Sequence, residues 1–426
     1  MIRPFISRLA RLLGVVATLR ASAFLRRLAE GAADEAQHVE AVRSSGACAL
    51  YVHMPFCHTP LCSFCCFVRY PYNKRLNARY MVAAKKEVEW LLTSAEDLKI
   101  SSVYFGGGTP TIDVEGLAGL VDLVRGHLGG GVEVAVEANP RDIDDKAVEA
   151  LRSVGVARLS IGAQSLDGRR LVKLGRLNHT VADTLRAVEA ARGKFKTVNL
   201  DILWGAPGDD LKAVREEAAR ALSLGVDQVT FYPLMPPAPP RLGEDISRGG
   251  PWHPEEPSLY AAILGEALSR GYNPATPWCM EKSKGLIDEY VVECDDFLAA
   301  GVSGIGRLNG YVYLNTFNVE RYIKLVERRG FSAVRAVRAS GLENALYYAS
   351  TRLFGLSLCL RDLKKFGGPG ALLSAALGAA LPLIGEGAGG CYRLKTPEAL
   401  YLMHAAQKGI YMAVNSLRRW GIKAQV

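Results

Sequence analysis

Four of the chain's nine cysteines, Cys57, Cys62, Cys65 and Cys66, fall within ten residues of a 426-residue sequence. A disulfide framework spreads its cysteines through a short secreted chain. A tight group in a long chain points instead to metal or iron–sulfur ligation in a reducing compartment. Structural zinc takes four ligands in two separated pairs, and no second pair is visible here. Three thiolates on one short loop wrap one corner of a cubane cluster and leave its fourth iron open. Such a loop needs a scaffold that brings further polar groups to the same place. Cys48, Cys279, Cys294, Cys359 and Cys391 are scattered.

Around the loop, strand and helix patterns alternate. Strands are expected over 49–54, 102–105, 132–137, 158–163, 197–203 and 228–233. Helices are expected over 78–92, 114–127, 145–154, 168–174, 181–192 and 211–224. Six β-then-α units imply parallel strands joined by right-handed crossovers. The predicted fold class is α/β, a partial (β/α)6 barrel with its chemistry at the carboxyl ends of the strands. The proline- and glycine-rich stretch 235–251 reads as an excursion that ends this core. A helix follows over 254–270, and helical text from about 339 carries a small β-like piece at 392–395 and a last helix over 397–420. The expected organisation is an N-terminal helical extension (1–47), a core (48–235), an extension of it (236–338) and a small winged-helix-like domain (339–426).

The hydrophobic share of 49% suffices for a large core, and the net charge of +9 is spread along the chain, as on a solvated surface. Near the N-terminus, Phe5, Leu9, Leu12, Leu13, Val16 and Leu19 recur at helical spacing among arginines 3, 8, 11, 20, 26 and 27. The longest uncharged run, Leu12 to Leu19, is too short to span a bilayer. Export would expose the cysteine loop to oxidation, so a signal peptide is rejected. Two readings stand: a helix packed on the enzyme's own body, or a basic amphipathic helix lying on a membrane surface.

The loop residues Tyr51, His53, Pro55, Phe56 and Cys57, followed by Leu61, Cys62, Phe64 and Cys65, resemble the cysteine loop of the radical S-adenosylmethionine superfamily. The likeness is to the branch holding oxygen-independent coproporphyrinogen III oxidase, its heme-chaperone relatives and class C radical methyltransferases. The branch spaces its cysteines by three residues and then two; here the gaps are four and two. By resemblance Cys57, Cys62 and Cys65 ligate a 4Fe–4S cluster, with Cys66 as the substitute for Cys65, and Phe64 packs on the adenine. Gly106, Gly107, Gly108 and Thr109 match the glycine-rich turn that holds the methionine amino group. Glu137, Gln164, Arg176 and Asp201 match the polar strand ends that, with Tyr51, line the S-adenosylmethionine site. The resemblance implies a cytoplasmic enzyme, or one peripheral to the inner face of the membrane. It also implies a low-potential electron donor such as flavodoxin or ferredoxin. His53 and His58 are left out of the ligand set, His179 is expected to cap a helix, and Trp278 and Cys279 either reach the substrate or lie in the core.

Three reactions are consistent with these residues. The first, and the expected one, is methyl transfer to an aromatic or quinone-like lipophilic substrate, with two S-adenosylmethionine molecules; the other two are alternatives. Segments 276–280, 287–290 and 313–317 resemble a subgroup associated with it. The second is oxidative decarboxylation of coproporphyrinogen III, although the oxidase carries a cysteine where this chain has Phe67. The third is a heme-binding chaperone without radical turnover, although the chaperones carry an Asp-Phe pair where Cys66 and Phe67 stand. No basic module interleaved with aromatics is appended, so nucleic acid is not an expected partner.

Overall fold

A computed structural model describes residues 2–95, 98–236, 253–285, 292, 294–424 and 426. Most of the excursion at 235–251, and all of 287–290, therefore lie outside the described residues. The chain opens with helices α1 (Pro4–Glu30) and α2 (Glu35–Arg43). Then come β1 (Ala49–Met54), β2 (Phe56–Cys57), β3 (Tyr70–Pro71), α3 (Lys74–Ser94), β4 (Ser102–Gly107), α4 (Val114–Leu128) and β5 (Glu133–Ala138). They are followed by α5 (Asp145–Ser153), β6 (Val156–Gln164), α6 (Gly168–Lys173), α7 (Val181–Ala191), β7 (Thr197–Trp204), α8 (Leu211–Ser223) and β8 (Gln228–Pro233). The next part holds α9 (Glu256–Ser269), β9 (Asn273–Pro274), β10 (Cys279–Glu281), β11 (Phe297–Ala300), β12 (Ile305–Leu308), β13 (Tyr311–Asn315), α10 (Val319–Arg329) and β14 (Ala333–Arg338). The last holds α11 (Gly341–Phe354), β15 (Ser357–Cys359), α12 (Gly367–Ala380), β16 (Gly385–Ala388), β17 (Cys391–Leu394) and α13 (Pro397–Ala424).

The six expected strands β1, β4, β5, β6, β7 and β8 pair in that order, all parallel. They are the middle of a larger sheet of twelve strands, ordered β14-β13-β12-β11-β1-β4-β5-β6-β7-β8-β10-β9. β11 lies parallel to β1, while β12–β14 and β10–β9 continue the edges antiparallel. The edge strands escape sequence reading because they are two to six residues long and lack a sustained alternation. Every residue of β7 is buried, as expected of a strand covered on both faces. Aspartates 113, 144 and 210 cap α4, α5 and α8, and Thr180 with Asp183 closes a capping box on α7.

The C-terminal segment forms a three-stranded antiparallel sheet, β15-β17-β16, beside α11 and α12. Two of the residues left single in sequence, Cys359 and Cys391, are disulfide-bonded here, and Cys48 is bonded to Cys294. The sequence does not reveal these pairs because 246 residues separate Cys48 from Cys294. Structural disulfides also occur inside cells of hyperthermophiles, so they are compatible with a reduced cysteine loop.

Helix α1 packs lengthwise on α13, but not through most of its large apolar residues. Its buried positions are Ile6, Ala10, Gly14 and Thr18, spaced by four, and Leu28 near its end. A Cβ on Gly409 of α13 would fall 2.2 Å from the Gly14 carbonyl oxygen, so the helices cross at backbone contact. Phe5, Leu9, Leu12, Val16 and Leu19 face away from the body.

Candidate active site

The cysteine loop leaves β1 and is held by its own backbone. The β2 and β3 pairing brings Cys57 alongside Pro71, and Thr109 donates its backbone N–H to the Phe56 carbonyl at 2.8 Å. Arg69 closes the loop from beneath. Its guanidinium donates to the carbonyls of Cys65 (2.7 Å), Phe67 (3.2 Å) and Cys62 (2.5 Å). One side chain thereby neutralises three loop acceptors that have no ladder partner.

Cys57 and Cys62 are buried, and Cys65 and Cys66 are half-buried. Burial pushes the Cys57 thiol up to about 12 against the hydroxyl of Thr109, which donates to its sulfur at 3.6 Å. The Cys62 sulfur receives Arg176 Nη1 at 3.0 Å and Asn178 Nδ2 at 3.7 Å. Burial also raises the thiols of Cys65 and Cys66. Among the described residues no three His, Cys, Asp or Glu side chains converge on one metal ion. A cubane presents its irons at separate corners, so its thiolates stand apart rather than converging.

Beside the loop lies a cavity of about 330 Å³ at the carboxyl ends of β1 and β4–β8. Each central strand contributes: Gly107 from β4, Glu137 from β5, Gln164 from β6 and Tyr232 from β8 at or next to their ends, and Tyr51 from β1 and Asp201 from β7 three residues before theirs. Phe64, Cys65, Cys66, Gly108, Thr109 and Arg176 also line it. Of the cluster and cofactor residues expected from sequence, Cys57, Cys62 and Gly106 lie behind the wall rather than in it. The two sulfurs are nevertheless in contact with lining residues, Thr109 and Arg176.

The polar groups are held in place by the protein. Tyr104 donates its hydroxyl to Glu137 Oε1, and Gly107 its N–H to Oε2, each at 2.9 Å. Gly107 has φ +108°, open to glycine, and a Cβ there would meet the His53 ring at 2.3 Å. Gln164 is itself left-handed, with φ +66°. Asp201 accepts from Ser160 (3.0 Å) and Asn199 (2.7 Å). Arg176 donates Nη2 to the Gly162 carbonyl at 2.9 Å, while its buried Nε has no partner among the described residues.

Both ring nitrogens of His53 are engaged, with the Tyr51 hydroxyl (2.9 Å) and the Val68 carbonyl (2.8 Å). The carbonyl can only accept, so Nε2 carries the proton and Nδ1 accepts from Tyr51. Burial lowers this imidazole to about 4, so it stays neutral. His58 pairs with Asp142 at 2.5 Å, away from the sulfurs. His179 contacts the Ala163 carbonyl at 3.1 Å, while Thr180 is the cap of α7. Trp278 and Cys279 are fully buried core residues. Tyr313, Asn315 and Thr316 bond to backbone groups of the scaffold.

Several cavity-lining positions carry no motif. Ser303 reaches the cavity from the turn after β11 and Ile305 from the start of β12, and Tyr411, Asn415 and Arg418 reach it from α13. Arg418 lies over the Phe67 ring, 4.0 Å from its centre, and donates to Asn415 Oδ1 at 3.0 Å. The helical pattern of α13 identified a helix but not which residue turns to the site.

Comparison with known proteins places this geometry. The model of the radical SAM superfamily matches residues 51–245. The heme chaperone HemW of Bacillus subtilis (strain 168) is 27% identical over 293 residues, covering 66% of this chain and 76% of that protein. Oxygen-independent coproporphyrinogen III oxidase of Paracoccus denitrificans (strain Pd 1222) is 32% identical over 203 residues, 46% of this chain and 44% of that protein. The solved structure of coproporphyrinogen III oxidase (HemN) from Escherichia coli shares the fold at TM-score 0.68 and 20% identity, covering 88% of this chain and 93% of that one. Residues 51–245 thus form a radical SAM domain, and the cofactors of that superfamily are a 4Fe–4S cluster and S-adenosylmethionine.

Proposed function

We propose that this chain is a radical enzyme whose Cys57, Cys62 and Cys65 hold the cluster and whose substrate is a tetrapyrrole-class molecule. The observation that carries the enzyme reading is the meeting of six strand ends and the cysteine loop at one cavity. The residues fit the cofactors. Among the described residues the buried Nε of Arg176, beside Cys62, has no partner, and Gly107 and Glu137 line the same cavity. A cluster held by Cys57, Cys62 and Cys65, with S-adenosylmethionine beside it, would supply one-electron reductive cleavage chemistry.

The chain's own residues do the rest. Thr109 and Arg176 stabilise negative charge on the sulfurs of Cys57 and Cys62. Glu137 and Asp201, already oriented by neighbours, present carboxylate oxygens for hydroxyl or ammonium donors. Phe64, Leu203, Tyr232, Leu234 and Ile305 form an apolar wall for a flat ring system. Arg418, over the Phe67 ring, offers the same cavity a guanidinium for an anionic substituent. The names of the two relatives, a heme chaperone and a coproporphyrinogen oxidase, support the tetrapyrrole class.

One observation favours a second reading, methyl transfer to a quinone-like aromatic. Cys66 and Phe67, where the chain departs from both the oxidase and the chaperone, face the cavity itself. The test is anaerobically reconstituted protein with dithionite and S-adenosylmethionine, offered heme, coproporphyrinogen III or a menaquinone analogue. 5′-Deoxyadenosine rising with a tetrapyrrole supports the proposal. S-Adenosylhomocysteine rising with the quinone supports the second reading. Tight heme binding with neither product leaves the chaperone. Alanine at position 57, 62 or 65 should abolish the cluster absorbance while Cys66→Ala retains it; the reverse for positions 65 and 66 would overturn the ligand set.

A further inference from the structure

Helix α1 uses only half of its circumference to hold on to the body. Ile6, Ala10, Gly14 and Thr18 are the buried face, against α13. Phe5, Leu9, Leu12, Val16 and Leu19, spaced by four, three, four and three, form a ridge on the opposite side. Phe5 is 73% exposed, Leu12 60% and Leu19 55%. A ridge of five large apolar side chains in solvent is costly unless something covers it.

The charges beside the ridge select the occupant. Residues 1–29 contain six arginines and no acid. Arg3 and Arg27 reach acids elsewhere on the body, Glu398 and Glu343. Arg8 and Arg26 flank one side of the ridge by helical geometry and Arg20 the other, all exposed. The same apolar spacing would suit a coiled coil, but pairing with a second copy would set arginine against arginine. A bilayer-spanning role is excluded by the eight-residue uncharged run and by the packing of the inner face. An apolar stripe with arginines on both shoulders matches an anionic bilayer surface, where the rings and branched chains enter the acyl boundary and the guanidinium groups meet phosphates.

We propose that the outer face of α1 docks this protein in the plane of an anionic phospholipid surface. Docking requires no refolding, because α13 already holds the helix in place. The consequence for the site is direct: α13 touches α1 at Gly409 and lines the cavity with Tyr411, Asn415 and Arg418 further along the same helix. A lipophilic molecule leaving the bilayer would therefore have one helix to pass.

The test is co-sedimentation of the full chain with phosphatidylcholine vesicles, with and without phosphatidylglycerol. Binding is expected only with phosphatidylglycerol and is expected to weaken as salt is added. Leu12→Glu with Val16→Glu should abolish it. Arg8→Gln with Arg20→Gln should weaken partitioning about thirty-fold. All four positions are on the outer face, so thermal unfolding should match the parent. The segment Leu360–Leu383, apolar and only 11% buried, is the control. Binding lost by Leu372→Glu but not by the α1 variants would overturn the proposal. So would no binding to phosphatidylglycerol, or a self-association that only the α1 variants abolish.

Discussion

Gly107 and His53 each require the other's conformation. The glycine's φ of +108° puts its N–H on Glu137, and the missing Cβ is the space the imidazole fills. Gly107→Ala should therefore cost about 1–3 kcal/mol and also abolish 5′-deoxyadenosine formation, read by thermal unfolding and by the product assay. The buried histidines make a second prediction. Burial lowers His38 to about 3 and His53 and His179 to about 4. An unfolded histidine takes its proton near its ordinary 6.5, so acid favours the unfolded chain. This stability is complete above about pH 6.5 and is lost as pH falls toward the folded values, by up to about 2 kcal/mol per histidine at pH 5. His38 is the cleanest case, enclosed by Trp90, Tyr313 and Phe331. The melting temperature should drop between pH 7 and pH 5, and His38→Phe should flatten part of that drop. At this scale, residues set by spacing were legible: the cysteines, the glycines and the strand-end polar groups. Arg69, Asn178 and Arg418 were not: Arg69 bonds to backbone carbonyls, which no residue pattern marks, and Cys62 and Phe67 lie far in sequence from Asn178 and Arg418.

At the scale of elements, the central β-then-α units were legible because each repeats one strand period and one helix period with a cap between them. The face on which a helix packs was less so. In α1 the apolar spacing runs through Phe5, Leu9, Leu12, Val16 and Leu19, yet the buried face is centred on Ala10, Gly14 and Thr18, with Ile6 and Leu28 toward its ends. Hydrophobic size marks what a helix can bury; closeness of approach marks what it does bury against another backbone. Thr18 completes the contact by returning its hydroxyl to the Gly14 carbonyl at 2.7 Å, so it buries no free donor. Gly409→Val would drive a side chain into that carbonyl. A loss of about 1–3 kcal/mol is expected, with α1 becoming the first segment cut in limited proteolysis. A variant that melts like the parent and keeps α1 protected would contradict the crossing.

At the scale of the molecule, the last helix had to be fixed to the barrel-like middle of the sheet for the cavity to have its fourth wall. No pattern in the sequence announces this, since the fixing residues are about 150 positions apart. Glu256 on α9 accepts from His404 Nε2 at 2.9 Å and from the Lys408 ammonium, both on α13, and all three are buried. Trp278 donates its indole N–H to His404 Nδ1 at 3.0 Å. Indole nitrogen can only donate, so Nδ1 is the acceptor, Nε2 carries the proton, and the imidazole is neutral. Desolvation alone would raise Glu256, but Lys408 and His404 outweigh it and hold the carboxyl down at about 2. The charge balance of the buried group thus rests on one lysine. Lys408→Met should leave an uncompensated buried carboxylate and cost about 3–5 kcal/mol. Adding Glu256→Gln removes that charge and should recover most of the loss, which a merely bulky lysine pocket would not allow. Because Tyr411, Asn415 and Arg418 follow on the same helix, the single variant should also raise the substrate KM and the double variant should return it toward the parent. If the single variant melts as the parent does, the trio does not hold α13 against the sheet.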